Sequence, residues 1–456
     1  MTTRAAPLSR QLSVNLLLVL GSAWACNQES VTSHSELPEQ AKASADPVVA
    51  SANPSAAPQD TTLDVQVLGS GFDLGSKAEF VLNGVAVPGV RTNRTTYRTP
   101  KELVANITIA PDAVPDRYDI SVTTSKGKKG IGTERFAVLA LQVLGSNAFG
   151  LGVNSAGTAV GYISVPTTCG GASNRPVVWT ETGGLRQLPI PAGTCTAASR
   201  SINDAGVIAG SVGNDAYRWL PSGGESWTPQ SLGAGGAPQG INRAGDIVML
   251  QNDGNVTALF WTGTVWTEES GIVHLPNRPG ATSGCSSAGI NNLRQVVGRC
   301  MYTGNNTLTP VIWQTLASAP TPLPPLPGID RYSPKAVNDA GVIVGTAFPP
   351  AGGTRAVRWV PSGSTWVPED LGSLGGNSEA QSINNRGQIV GFSRISGSVD
   401  HAFVWEQNSG MRDLGALGTQ SSQAQGMSDP TNGQPTYAAG WSYVSTTPQM
   451  VRWRIE

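Results

Sequence analysis

Three histidines, five cysteines and a thin scatter of carboxylates are the residues from which this 456-residue chain could build chemistry. His34, His274 and His401 each stand alone, with no second imidazole or thiolate at metal-ligand spacing, and neither an HExxH nor a CxxC occurs. No metal centre and no other cofactor is expected. The chain also lacks the Gly-x-Ser-x-Gly turn of a serine nucleophile and any phosphate-cradling glycine loop. Carboxylate pairs such as Glu268-Glu269 and Glu369-Asp370 are consecutive and read as solvated charges. A catalytic dyad here would have to be assembled from segments distant in sequence.

The first cysteine belongs to an address. Arg4 and Arg10 precede an apolar stretch over 12–20, followed by Gly21-Ser22-Ala23-Trp24-Ala25-Cys26. That order of basic, apolar and small residues predicts a signal peptide over 1–25. Its apolar stretch is too short to span a bilayer as a helix, and no later segment reads as transmembrane. The pattern resembles a bacterial lipoprotein signal, which implies lipidation of Cys26 and an anchor in the outer membrane or at the cell surface. Ala23 stands where that family has Leu, and Ala23-Trp24-Ala25 also suits ordinary cleavage and plain secretion. Parity favours the lipid: without Cys26, the remaining Cys169, Cys195, Cys285 and Cys300 suffice for two disulfides in an oxidising compartment.

The elements that must position these residues are strands. With 55 Gly, 32 Pro and only 13% charged residues, long amphipathic helices are excluded in favour of short strands and tight turns. A net charge of −1 speaks against nucleic acid as a partner. Residues 26–60 are rich in Ser, Ala, Pro, Gln and Glu and read as a flexible tether. From 61 to 139, apolar runs at 63–68, 77–82, 85–90, 102–109, 116–123 and 134–138 predict a β-sandwich. Gly69-Ser70-Gly71-Phe72, Gly75-Ser76, Val81-Leu82-Asn83-Gly84-Val85, Leu103-Val104-Ala105 and Phe136-Ala137-Val138 follow in the order of the IPT/TIG family. The segment resembles that immunoglobulin-like family, which implies a binding or spacer module. Lys126, Lys128 and Lys129 flank Gly127 and Gly130 as a solvated hairpin turn would.

A repeat fills 140–456. Its phrase is Ile-Asn-x-x-Gly-x-x-Val-Gly, a variable loop, then Ala-Phe-Val-Trp or a variant, then a Leu-Gly-rich stretch. The anchors are Asn154, Asn203, Asn242, Asn291, Asn338 and Asn384, with a degenerate seventh at Met427-Ser428-Asp429. The partner tryptophans read as Trp179, Trp219, Trp261, Trp313, Trp359, Trp405 and Trp453, about 46 residues apart, near the length of a four-stranded propeller blade. In the sixth repeat, strands are expected at 380–383, 388–393, 401–405 and 411–414. Asn opens each first turn because its side chain can bond the backbone two residues on, and Gly supplies the left-handed position. Arg294 replaces that Gly in the fourth repeat. The repeats resemble the bacterial extracellular HAF family, through His401-Ala402-Phe403 and the flanking phrases, and this implies an exported propeller-like protein without a general activity.

The expected architecture is thus all-β: an immunoglobulin-like sandwich, then a seven-bladed propeller. The seventh repeat stops before its fourth strand, and residues 141–146 look like that strand. Sharing one blade between the chain ends would close the ring; the alternative makes 141–146 the innermost strand of the first blade. Cys285 and Cys300 lie at equal distances from the turn 291–294 and should bridge adjacent strands. Cys169 and Cys195 fall in two loops on one face and should form the second disulfide. The repeat tryptophans read as blade core. Trp227, Trp266 and Trp366 follow them across a turn, as cross-strand packing or as a sugar-stacking platform. The leading function is a non-catalytic binding or scaffold protein, using its varied loops at 166–175 and 348–354 to bind glycan or protein. The alternative is a propeller enzyme acting on extracellular polysaccharide, a hydrolase or lyase with channel carboxylates.

Overall fold

The computed structural model describes residues 46–59, 61–110, 113–166, 172–233, 235–252, 261–281, 284–302, 307–430 and 433–455. The expected signal peptide, Cys26 and His34 lie outside the described residues, as does Cys169. All regular elements among the described residues are strands.

The first nine strands are β1 (Val48–Asn53), β2 (Ala56–Pro58), β3 (Thr61–Ser70), β4 (Lys77–Leu82), β5 (Val85–Ala86), β6 (Val90–Thr99), β7 (Glu102–Ile109), β8 (Arg117–Thr123) and β9 (Lys129–Leu139). They form two sheets, β1-β3-β7-β6 and β2-β9-β8-β4-β5. Alternation dictates the core between them: in β7, Leu103, Ala105, Ile107 and Ile109 point inward against Val65, Phe80, Tyr118, Ile120 and Phe136. Three departures from the sequence reading occur here. Residues 48–58 are not tether, because Val49, Ala52 and Ala57 are small but spaced to reach the core, and β2 lies parallel to β9. The run expected at 85–90 is split between β5 and β6. Most of β6 is polar and half-exposed, which hid it from a search for apolar alternation. Gly127 carries φ of +76° in the lysine turn, where Lys128 pairs with Asp46 at 3.5 Å.

Beyond Ala140, the described residues form seven four-stranded antiparallel sheets. Six are sequential meanders. The remaining one takes its first three strands from Ser422–Met427, Thr436–Val444 and Thr447–Ile455, and its fourth from β10 (Leu141–Ser146). Leu141 pairs with Trp453 and Ser146 with Gln449, so the first and last strands of the repeat region share one sheet. In the sixth repeat the strands are Ser378–Ile383, Ile389–Ser396, Val399–Glu406 and Gly410–Gly415. Each inner strand touches that of the next sheet, and Ser422–Met427 of the last touches Ala148–Val153 of the first. The sequence of contacts is a closed ring.

The repeat asparagines do more than make turns. Each Oδ1 accepts from the backbone N–H four residues on, as at Val207 (3.0 Å) and Val342 (2.9 Å), rather than chiefly two residues on. Each Nδ2 from Asn154 to Asn338 donates to the carbonyl of the next sheet's asparagine, at 3.0–3.2 Å. A belt of buried amides thereby sews six consecutive sheets together. Arg294 takes the left-handed position with φ of +61°, and its guanidinium reaches back to the buried Asp246 of the preceding sheet at 2.9 and 3.2 Å.

The tryptophan register needs one correction. Ile247 pairs with Trp266, as Ile208 does with Trp219 and Ile343 with Trp359. Trp266, not Trp261, is therefore the third repeat's core tryptophan; Trp261 pairs with Asn252, five residues out of register. A second device links sheets at this register. Arg218, Arg358 and Arg452 each precede a repeat tryptophan and lie 4.2–4.4 Å over the ring of Trp266, Trp405 and Trp179 in the following sheet.

Candidate functional site

The inner strands converge on a cavity of about 400 Å³ at the centre of the ring. What lines it follows from one irregularity repeated seven times. Each inner strand carries a β-bulge three residues before its asparagine position, leaving Leu151, Arg200, Gln239, Ala288, Lys335, Gln381 and Gln425 without a ladder partner. All seven line the cavity. The bulge also explains the second Gly of the repeat phrase. A Cβ on Gly161, Gly298, Gly391 or Gly440 would sit 1.8–1.9 Å from a carbonyl oxygen of the bulged strand. In these sheets close backbone approach, rather than a left-handed φ, calls for that Gly, while the third sheet carries Met249 at the same position.

Four cations line this cavity, and Arg243 among them pairs with Asp429 at 3.7 Å. Arg200 and Lys335 occupy bulges, and Arg299, paired opposite Ser286 on the neighbouring strand, also lines it. Arg200 is open to solvent inside the channel yet surrounded by protein; Lys335 and Arg299 are half-buried. Burial holds all three below their ordinary pKa, and for Lys335 the neighbouring Arg200 and Arg299 add to this while Glu379 opposes it. Burial pushes the Glu379 carboxyl above its ordinary value, against Lys335 and with help from Asp400. Glu379 accepts from the Gln381 amide at 3.3 Å, while Asp400 is held by Arg394 at 2.7 Å.

The two ends of the channel differ. One is rimmed by the turns after the inner strands, where Asp204, Asp339 and Asp429 accept from backbone N–H groups of adjacent turns at 2.9 Å. Toward the other end, Phe149 stacks on Tyr162 (5.0 Å) and meets Trp441 edge-on (5.4 Å). These three half-buried aromatics belong to the first and seventh sheets. Phe149 stands two residues before the Leu151 bulge, and Trp441 is paired with Gln423, two before the Gln425 bulge.

The residues singled out from sequence are distributed otherwise. Cys285 and Cys300 are directly paired and form a disulfide. Cys195 is disulfide-bonded, and its expected partner Cys169 lies outside the described residues. Trp227 and Trp366 pack across from Pro221 and Pro361 and donate to the turn carbonyls of Gly206 and Gly341 at 2.9 and 3.0 Å. With Trp266 in the repeat core, all three make the expected cross-strand packing. Glu268, Glu369 and Asp370 are not simply solvated but pair with Arg218, Arg358 and Arg355. His274 ends a strand rather than lying in a loop, and His401 pairs with Asp413 at 2.8 Å. Among the described residues no group of three His, Cys, Asp or Glu side chains could hold a metal ion, and no helix is long and apolar enough to cross a membrane. Of the varied loops, 167–171 lies outside the described residues, while the Phe348 N–H donates to the Arg331 carbonyl at 2.9 Å and so extends the ladder of the two preceding strands.

No protein-family model and no curated protein matches the sequence. Among solved structures, the chain is similar to virginiamycin B lyase from Staphylococcus aureus at 13% identity and a TM-score of 0.43, covering 68% of this chain and 98% of that one. The Dos1 propeller follows at 9% identity and a TM-score of 0.37, with 73% and 85% covered. Trypanosoma rangeli sialidase gives 11% and 0.33, with 73% and 57% covered. These neighbours are propeller proteins, enzymes and a non-enzyme among them, and no activity transfers to this chain at such values. The chemistry rests on the channel: hydrogen-bond donors and positive charge around the bulges, with three aspartates at the turn end.

Proposed function

We propose that the protein is an exported binding protein of the bacterial surface, lipid-anchored at Cys26, whose IPT/TIG-like module carries a seven-bladed propeller of HAF-type repeats. The propeller binds a glycan at its central channel. The ring of bulge residues carries this reading, because it brings Arg200, Gln239, Lys335, Gln381 and Gln425 into one cavity. Guanidinium, ammonium and amide groups hold hydroxyls and oxyanions, but they do not form a general acid–base pair. A hydrolase of the ordinary kind needs two carboxyls facing one bond, whereas Glu379 bonds an amide and Asp400 is tied to Arg394. The Cys285–Cys300 disulfide agrees with an oxidising compartment, and Cys169–Cys195 is proposed as the second bridge.

The test is a glycan and peptide array probed with the mature protein, followed by chromatography of each bound glycan after long incubation. Saturable glycan binding without new products is the expected result; released fragments would establish the enzyme instead. Cell fractionation tests the anchor. Wild type should sediment with membranes and Cys26→Ala should be soluble, and a wild-type protein found soluble with unmodified Cys26 would refute the lipid.

A further inference from the structure

We propose that the channel site is specific for an acidic saccharide, whose carboxylate is held by Arg200, Arg299 and Lys335 and whose hydroxyls are held by Gln239, Gln381 and Gln425. The proposal rests on the glycan-binding reading above and names its ligand class.

Three observations lead to it. First, the well-buried cations of the ring have partners: Arg218 has Glu268, Arg358 has Glu369 and Arg452 has Glu181. The side chains of Arg200, Arg299 and Lys335 make no hydrogen bond or ion pair among the described residues, although they face one cavity. Gathering like charges in one cavity is unfavourable, and Glu379 offsets part of it at Lys335. An oxyanion in the cavity would offset it at all three. Second, the carboxylates that line the cavity stand at one end. Asp204, Asp339 and Asp429 rim the turn end, about 10 Å along the strands from the bulge ring. An anion would therefore enter from the opposite end. Third, farther along the strands from the turn end stand Phe149, Tyr162 and Trp441, half-buried and packed on one another, and Arg200 acts electrostatically on Tyr162. Aromatic faces there suit the C–H face of a pyranose ring, while the amides between the cations suit neutral hydroxyls. A bare inorganic anion would use the cations and leave amides and aromatics idle.

The experiment is isothermal titration of the full chain with trigalacturonate and triglucuronate, with their neutral methyl esters, and with inorganic phosphate. The free acids should bind, and the esters about tenfold or more weaker, the worth of one charge-assisted hydrogen bond. Arg200→Gln and Lys335→Gln should each lose about tenfold or more toward the acids, with Arg200→Lys intermediate. Thermal unfolding confirms that each variant is folded; Lys335→Met replaces any that is not. Equal binding of acid and ester, unchanged affinity in the folded variants, or a preference for phosphate over both acids would each overturn the proposal. So would failure of both acids when the array returns another glycan, which leaves the glycan-binding reading standing. If no glycan on the array binds, both fail together.

Discussion

Replacing Arg452 should open the ring at its weakest junction. The amide belt runs from Asn154 to Asn384 and stops there, because the seventh repeat has Ser428, whose hydroxyl accepts from Tyr437 within its own sheet at 2.8 Å. Arg452, 8% exposed, spans the gap. It donates to Gln142 of β10 at 2.8 Å, to the Gly157 carbonyl at 2.9 Å and to Glu181 at 2.5 Å, and it lies 4.4 Å over Trp179. Glu181 is two-thirds exposed, so its ion pair contributes little, under about 1 kcal/mol. Leaving the buried Gly157 carbonyl without a donor costs about 1–3 kcal/mol. The lost stacking adds about 1 kcal/mol. Arg452→Met should therefore destabilise by about 3 kcal/mol and lower the calorimetric Tm by roughly 5–10 °C. Arg358→Met loses a similar stack over Trp405 (4.3 Å), but there the belt bond from Asn338 to Asn384 remains, so its drop should be about half as large. Equal losses in the two variants, or a shift of less than about 2 °C for Arg452→Met, would refute the idea that closure depends on this side chain.

Asn338→Asp keeps the acceptor for Val342 but removes the donor to Asn384, so it should destabilise by about 1–2 kcal/mol in denaturant unfolding, whereas a pure turn role predicts almost no loss. Cys285→Ser with Cys300→Ser should cost about 3 kcal/mol, the chain-entropy value for a loop of 15 residues, and peptide mapping of wild type should recover these two cysteines linked. Glu379 has its pKa raised in the folded state, so its carboxyl favours folding only while protonated. That contribution is complete below the ordinary pKa of 4.5 and is lost as pH rises through the folded value. Glu379→Gln should accordingly raise Tm at pH 7 and change it little at pH 4; a lower Tm at pH 7 would show that the carboxylate is needed by Lys335.

The strand frame was legible because each of its causes is local. The Asn-x-x-Gly turns, the buried repeat tryptophans and the alternation in β4 and β7 all act within one hairpin, and the expected and observed bounds of those two strands coincide. Completion of the last sheet by 141–146 was legible too, as a strand missing at one end and surplus at the other. Other features depend on partners about 36 residues away or more. The donor bond of each asparagine, the arginine over the next sheet's tryptophan and the cluster of Arg200, Arg299 and Lys335 join different repeats. Trp261 was misassigned for a related reason: two tryptophans lie five residues apart, and only pairing with Ile247 distinguishes them. The bulge position did carry a signal. Three residues before each asparagine anchor, Leu, Arg, Gln, Ala, Lys and Gln replace one another while the frame around them repeats.

That signal points to how the fold accommodates a site. In a sheet, a residue is normally committed twice, its backbone to the ladder and its side chain to one packed face. A bulge frees one residue per strand from the ladder and re-aims its side chain. Here the freed residue turns to the channel, and the facing Gly of the second strand lets the bulged backbone approach closely, as at Gly161 and Gly391. The two requirements are thereby separated. Substitutions at the Gly disturb backbone contacts under 2 Å, whereas Arg, Lys, Gln, Leu and Ala all occupy the bulge without altering the register around it. A repeat duplicated seven times can keep its frame nearly constant and still present seven different groups to one cavity. Chemistry in this protein therefore collects at the channel, where the frame places least demand on residue type, rather than at the tryptophans and asparagines that recur most visibly.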